Sequence, residues 1–596
     1  MNPKWFLFLF LLLSIKVISQ VTLDDKKLEK RLISLQEITK TVGFSVAIIK
    51  EDKVIYSRGF GYKDLENKLK VDENTLFPIG STSKAFTTAL LGLMEEEKEL
   101  NFNDSPKKYL PELEFYNDDL NNKVTILDMI SHRTGLPRHD FSWYLFPTES
   151  KDSLLHRVKY HEPFTGMRET WYYNNFMYLA QGLIIEKLTG KSWEHNIRER
   201  FFKPLNMDSS NLTIKELESH DNISKGYSLE NFISNKPMPY YNISAISPAG
   251  SINSSAKEMA NWLKIWLNEG LYNNEQVLPK KYVEKAMNPL MLVGTGIADK
   301  QFPDQHLNSY GYAWFISSYK GHYRLEHGGN IDGFSANVAM FPNDKIGIVV
   351  LANQNGSLLP SLVRNAIADE ILNLNRTDWV SYYSEKEAKY KLQLEEKKKS
   401  QKDSKVQNTK PSHSMAEYSG KYHHKGYGDF RIEVKNDSLW ANFTREKAFL
   451  LHKHYDVFIP YLVKDNKVDL NEDLGFNFNF QTNDNGDIAN VKLKLEPTID
   501  ALTFERRIEE VAVSKDTLNN YIGTYLLSGL EIQVYFKTER LMLFVPGQPE
   551  YSLTPIAESE FIIKGLSGYK VQFLQEHDVK SLVLHQPNGI FTAKMK

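Results

Sequence analysis

Between residues 80 and 94 the apolar positions Phe86, Ala89, Leu90, Leu93 and Met94 recur at the spacing of one helix face. The same period predicts helices over residues 28–39, 176–188 and 358–374, within a mostly helical stretch from 80 to about 290. Towards both ends of this region the pattern changes to strands. "FSVAIIKEDKVIYSRGFGYKD" (44–64) places two β-rich runs around Glu51-Asp52-Lys53, the pattern of a hairpin. Residues 334–341 and 346–352 form a second strand pair, joined by Pro342-Asn343-Asp344. Strands at the two ends with helices between them predict an α+β domain whose sheet is assembled from its termini.

The pattern changes again near residue 377. "EKEAKYKLQLEEKKKSQKDSK" is dense in charge, and its only large apolar residues are two leucines and a tyrosine. It predicts an exposed helix fading into a linker that ends at Pro411. Beyond it, short runs alternate with period two: "FNFNF" (476–480), "VKLKL" (491–495), "YKVQF" (569–573) and "SLVLH" (581–585). This part also repeats. Tyr418-Ser419-Gly420-Lys421-Tyr422 recurs as Tyr521-Ile522-Gly523-Thr524-Tyr525, and residues 449–458 parallel 551–561. Two copies of one small all-β module are expected. The expected division is a leader at 1–19, an α+β domain at 20–376, a charged helix and linker at 377–413, and β modules at 414–508 and 509–596.

Composition narrows the picture. The chain of 596 residues is long enough for about three to five domains, and its 41% hydrophobic and 12% aromatic content supplies cores for them. Lys and Arg number 73 against 75 Asp and Glu, a net charge of −2. That balance gives no electrostatic reason to expect nucleic acid or an anionic membrane as partner. There is no cysteine, so neither disulfides nor a lipidated cysteine anchor enter. Lys4, the apolar run at 5–15 and the small or modest residues Val17 and Ser19 before Gln20 predict a cleaved secretory signal peptide. The run is shorter than the roughly 20 residues a membrane-spanning helix needs. A retained anchor is the alternative. The protein is therefore expected to be exported, to the periplasm or outside the cell.

Ser81 and Lys84 stand at the start of the first amphipathic run, after Pro78-Ile79-Gly80. A serine there can simply cap the helix. The same position also suits catalysis. Residues i and i+3 share a helix face, which sets Lys84 beside the Ser81 hydroxyl. The helix N-terminus offers free N–H groups to a developing oxyanion. A serine hydroxyl needs a base, and a lysine serves when burial or a nearby cation lowers its pKa. Spacing alone selects nothing, because Ser-x-x-Lys also occurs at Ser254/Lys257, Ser317/Lys320 and Ser567/Lys570. Tyr173-Asn174-Asn175 precedes the helix at 176–188, where an aromatic packing at a helix entrance is the plainer reading. His327-Gly328-Gly329 precedes the strand at 334–341. It is either a turn with a surface histidine or a place where glycines let a substrate approach the backbone. His423-His424 and His452/His454 read as strand histidines rather than metal ligands. No zinc His-Glu-x-x-His, phosphate loop or Gly-x-Ser-x-Gly elbow accompanies them, and neither metal nor cofactor is expected.

The ordered triple Ser-x-x-Lys, Tyr-x-Asn and His-x-Gly resembles the serine β-lactamase-like, penicillin-recognising hydrolases, and within them the class C β-lactamase and esterase branch. "FPIGSTSKAFTTALL" (77–91), "VTILDMISHRTGLPRHD" (124–140), "SPAGSINSSAKEMANWL" (247–263) and "YGYAW" (310–314) carry the same likeness. It covers roughly residues 25–376. The β modules resemble the lipocalin-like C-terminal extensions of some of these hydrolases.

The resemblance implies an antiparallel sheet flanked by helices, with an all-α subdomain. It implies Ser81 as acyl-accepting nucleophile, Lys84 as its proton-sharing neighbour, and Tyr173 as general base, its phenol acidified by Lys84. Asn175 would hold the substrate amide and orient Lys84. Gly329 lies in the strand approached by substrate, and the N–H groups of Ser81 and Asn330 would form the oxyanion hole. His327 stands where many β-lactamases have a lysine, a permanent cation suited to a substrate carboxylate. A mostly neutral histidine favours an ester, an amide or a D-amino-acid peptide. The partner implied is a small-molecule or peptide substrate, with cell-wall peptide among the candidates; no oligomeric state follows. Two rival functions remain open: a penicillin- or peptidoglycan-binding sensor with little turnover, and a protein whose β modules do the binding.

Overall fold

The computed structural model describes residues 24–596, apart from 295–301, 303, 306, 465, 508, 564, 565, 567, 577, 578 and 587. The leader expected at 1–19 lies outside the described residues. No helix among the described residues is long and apolar enough to cross a membrane.

The hairpin expected at 44–64 forms as strands Gly43–Lys50 and Lys53–Asp64. Strands Phe334–Phe341 and Ile346–Ala352 form where the sequence places them. These join one nine-stranded antiparallel sheet. Within it Gly43–Lys50 pairs with Ile346–Ala352, so the beginning and the end of the domain meet in adjacent strands. Alternation splits the first strand between two cores. Phe44, Val46 and Ile48 pack with helices Asp25–Thr39 and Leu359–Ile371 on one face. Ala47 and Ile49 face the larger helical core on the other.

That larger core is organised by helices Lys84–Glu96, Phe176–Thr189 and Ala256–Leu267. Phe176–Thr189 is buried over most of its surface, which matches a sequence apolar on nearly every side. The helices of the stretch from 80 to 290 alternate with loops that take up about half of it, and it also contains the hairpin Gly226–Glu230/Ser234–Met238. This is the α+β architecture that the sequence pattern implies.

The charged segment forms one helix, Trp379–Asp403. Trp379 anchors it: the indole Nε1 donates to Asp369 at 3.0 Å, a carboxylate that also accepts from the Tyr319 hydroxyl at 2.7 Å. Two eight-stranded, up-and-down barrels follow. The first runs from Gly420–His424 to Leu502–Arg507, and these two strands pair to close it. The strand Lys467–Asp473 lies outside the ring, paired to Val457–Lys464. The second barrel runs from Gly523–Leu527 to Gly589–Met595 and closes through Tyr525 opposite Met595. The repeated Tyr-x-Gly-x-Tyr motif has one structural meaning in both. The Tyr422 hydroxyl donates to the Tyr418 carbonyl at 2.8 Å, and the Tyr525 hydroxyl to the Tyr521 carbonyl at 3.0 Å. Each buried ring thus pins the entrance of its own barrel.

The first barrel is docked on the α+β domain. Leu145 and Phe146, which follow helix Asp140–Tyr144, belong to the barrel's core rather than to their own domain's. Phe146 packs among Tyr427, Phe430, Phe443 and Phe504. Polar contacts flank it: Ser142 Oγ donates to the Gly426 carbonyl at 2.7 Å, and His139 Nδ1 lies 2.8 Å from the Tyr427 hydroxyl.

Candidate active site

The run that begins at Gly80 opens as a 3-10 turn, Gly80–Ser83, and becomes α-helical at Lys84. Ser81 sits in that turn and makes no cap to the helix. Lys84 is fully buried in the first helical turn. Its Nζ lies 3.1 Å from Ser81 Oγ and donates to the Ala249 carbonyl at 2.6 Å. The ring faces of Tyr173 and Tyr178 lie 4.8 Å and 5.2 Å from the same nitrogen. Burial drives the Lys84 pKa well below that of a free lysine; Arg138 pushes it the same way, and Asp140 opposes them. The fold thus sets an amine of weakened basicity beside the Ser81 hydroxyl.

Tyr173 lies at the entrance to helix Phe176–Thr189, with its ring between the Lys84 amine and the Arg138 guanidinium. The Arg138 guanidinium is 4.8 Å from its centroid. Its hydroxyl is buried and makes no hydrogen bond of ordinary geometry. Burial pushes the phenol above its ordinary pKa, against the opposing pull of Ser81 and Arg138. The expectation that Lys84 acidifies Tyr173 is not met: Lys84 faces the ring, and desolvation dominates at the hydroxyl. Asn175 reaches the cleft, where its Nδ2 donates to Asp140 at 2.8 Å. Lys84 is instead oriented by Ser81 and the Ala249 carbonyl.

His327 is on strand His322–Ile331, with its side chain buried rather than on the surface. A carbonyl can only accept, so the 2.7 Å contact with the Gly328 oxygen assigns the proton to Nδ1. Nε2 then accepts from the Tyr310 hydroxyl at 3.1 Å. Burial, with Lys84 nearby, lowers the His327 pKa to about 3, so the ring is neutral at physiological pH. The neighbouring strand Phe315–Tyr319 pairs only as far as Glu326. From His327 onward that edge is unpaired among the described residues, and the turn carrying Ser81 packs on the face of the strand. The approach is as close as backbones allow: a Cβ on Gly329 would lie 1.9 Å from the Ile79 carbonyl oxygen and 3.3 Å from Ser81 N. Gly80, at φ +54°, meets the Asn330 backbone in the same way. The amides of Ser81 and Asn330 are thereby brought to one place.

A cleft of about 290 Å³ opens over Ser81, walled by Arg138, Trp143, Tyr144, Asn175, Tyr241 and Asp332 among others. Several of these carry no role in the sequence reading. Arg138 and Asp140 form an ion pair at 2.5 Å. His132, buried and held neutral, packs its ring 4.3 Å from that of Tyr173. The stretches "SHRTGLPRHD" and "YGYAW" contain His132, Arg138, Asp140 and Tyr310, so the signal was resemblance, without spacing that assigns a role. Among the described residues no cluster of three or more His, Cys, Asp or Glu could hold a metal ion. His423 pairs with Asp429 at 2.5 Å instead.

The chain has relatives among known proteins. Residues 28–373 match the model of the family described as Beta-lactamase, and residues 404–506 that of a domain of unknown function, DUF3471. The unguisins hydrolase ungD of Aspergillus violaceofuscus is 27% identical over 71% of this chain and 79% of its own length. Protein flp of Staphylococcus aureus is 27% identical over 57% of this chain, which spans 65% of flp. Among solved structures, the octameric penicillin-binding protein homologue from Pyrococcus abyssi shares the fold. It is 22% identical with a TM-score of 0.54, covering 81% of this chain and all of that one.

Proposed function

The chain belongs to the Beta-lactamase family, and from that premise we propose that it is an exported serine hydrolase that works through an acyl-enzyme. The substrate class is an ester, an amide or a D-amino-acid peptide. The observation that carries the reading is the 3.1 Å contact between Ser81 Oγ and a buried Lys84 whose pKa is held down. As Ser81 Oγ attacks the carbonyl carbon, Lys84 takes its proton. The N–H groups of Ser81 and Asn330 receive the oxyanion. Tyr173, still a protonated phenol, gives its proton to the departing oxygen or nitrogen and recovers one from the deacylating water, while Lys84 returns its own to Ser81 Oγ. Water then cleaves the acyl ester and returns Ser81. The free strand edge from His327 to Ile331 suits an extended, peptide-like acyl group. Neutral His327 offers no cation for a carboxylate, which argues against efficient β-lactam hydrolysis.

Intact mass of the purified protein after a fluorophosphonate, and separately after a penicillin, tests the reading. A single fluorophosphonate adduct absent from Ser81→Ala is expected, on a chain that begins at Gln20. A penicillin adduct that persists would turn the reading towards a binding protein with little turnover. No adduct with either reagent would overturn it.

A further inference from the structure

The wall of the cleft farthest along the strand from His327 is built with a residue from another domain. Asp332 follows strand His322–Ile331 and lines the cleft, as do Tyr144 and Tyr241. The two tyrosine rings stack at 5.2 Å. The Tyr144 hydroxyl donates to both Asp332 carboxylate oxygens, at 3.3 Å and 3.2 Å. All three are held by Arg445, which lies in the turn between barrel strands Ser438–Asn442 and Lys447–His454. Its guanidinium is 4.4 Å from the Tyr144 ring centroid and 4.3 Å from that of Tyr241. It forms an ion pair with Asp332, while its Nε lies 3.4 Å from Glu446 of the same turn. Arg445 itself does not line the cleft, so its effect on a ligand passes through the residues it holds.

We propose that Arg445 is a positioning and specificity-determining residue: by neutralising Asp332 and clamping Tyr144 and Tyr241, it makes the cleft select an uncharged acyl chain over a cationic one. This rests on the reading of Ser81 as the acylated residue. The carboxylate of Asp332 is the feature that makes it a matter of charge. With Arg445 in place the wall presents aromatic faces and a satisfied ion pair. Without it the same wall presents an unbalanced carboxylate beside the strand edge that receives substrate, a good site for an ammonium group. The apolar remainder of the lining, including Phe141, Trp143, Ile243, Ile246 and Ile331, is common to both cases.

Two p-nitrophenyl esters of equal length separate the cases: the heptanoate, and the 6-aminohexanoate, whose chain ends in an ammonium. The full-length native protein is expected to prefer the heptanoate. In Arg445→Met the ratio of kcat/KM should move towards the ammonium ester by about tenfold, mostly through KM. Asp332→Asn in the same protein should cancel that shift. Arg445→Lys, which keeps the charge, should stay near the native ratio. Asp332→Asn alone removes one negative charge from the wall while Arg445 keeps Glu446 as a partner, and should move the ratio the opposite way, so the proposal remains testable if Arg445→Met does not fold. Equal slowing of both esters in Arg445→Met, with no change of ratio in Asp332→Asn, would reduce Arg445 to a structural contact and overturn the proposal. Fluorophosphonate labelling distinguishes the two failures. If Ser81 labels normally and the ratios do not move, only the role of Arg445 falls; if Ser81 does not label, the acyl-transfer reading falls with it.

Discussion

Lys84 and Arg138 are 54 positions apart in sequence number and no spacing rule joins them, yet Arg138 contributes to how Lys84 meets protons. Burial does most of the work of lowering the lysine pKa, and the Arg138 cation adds to it. Replacing Arg138 with methionine should therefore raise the Lys84 pKa. The proton-free lysine would then dominate only at higher pH, and the acid limb of kcat/KM should move up. A pH–rate profile checks this; a limb that stayed in place would separate Arg138 from the base. His327 contributes no limb between pH 5 and 8 on either account, because it is neutral above about pH 3. At this scale the sequence was legible where chemistry is written as local spacing. Ser81 and Lys84 are one turn apart, and they do meet. The surroundings were not legible. The rise in the Tyr173 pKa comes from desolvation by residues distant in the chain, and no motif records desolvation.

The strand and the turn that meet at Ser81 form the functional element. The β-rich runs on either side of Pro342-Asn343-Asp344 exposed the strands Phe334–Phe341 and Ile346–Ala352 in the sequence, and both are buried along their whole length. The runs gave no sign that Phe315–Tyr319 stops short and leaves the edge beyond Glu326 free, since strand pairing length is a tertiary property. The glycine at 329 marks the crossing. Gly329→Ala places a methyl group 1.9 Å from the Ile79 oxygen, so the strand and the turn must part. A shift of about 1 Å in an acyl-transfer site costs on the order of 10²-fold in rate. The labelling rate of Ser81 in Gly329→Ala should fall by about that factor, while the melting temperature falls modestly. A large loss of stability with unchanged labelling would show that the glycine serves the sheet and not the site.

At the scale of the molecule, the sequence shows that two β modules exist, because their repeated tyrosines serve the same hydrogen bond in each. It does not show that, among the described residues, the first braces the active-site wall through Arg445. The contact depends on Phe146 entering a barrel whose first strand lies more than 250 residues later. Buried Glu496 of that barrel illustrates the cost of such a junction. Burial and the nearby Asp140 raise its pKa to about 7, against the pull of the His139 N–H and Arg138. Folded Glu496 thus holds its proton after the unfolded chain has lost it, and stability falls as pH rises from about 4.5 to 7. The full loss, about 3 kcal/mol, persists above pH 7. Glu496→Gln should remove this slope, gaining more over the native protein at pH 8 than at pH 5 in denaturant unfolding; an equal difference at both would refute it. The insertion of Phe146 has a further consequence. The segment that carries Phe146 also supplies Arg138, Trp143 and Tyr144 to the cleft, so occupancy of the cleft and seating of the barrel share one free energy. Whatever factor the seated barrel adds to the affinity for a ligand, that ligand must return to the barrel as resistance to detachment. A protease that cuts the transiently released module would then report ligand binding from the far side of the interface.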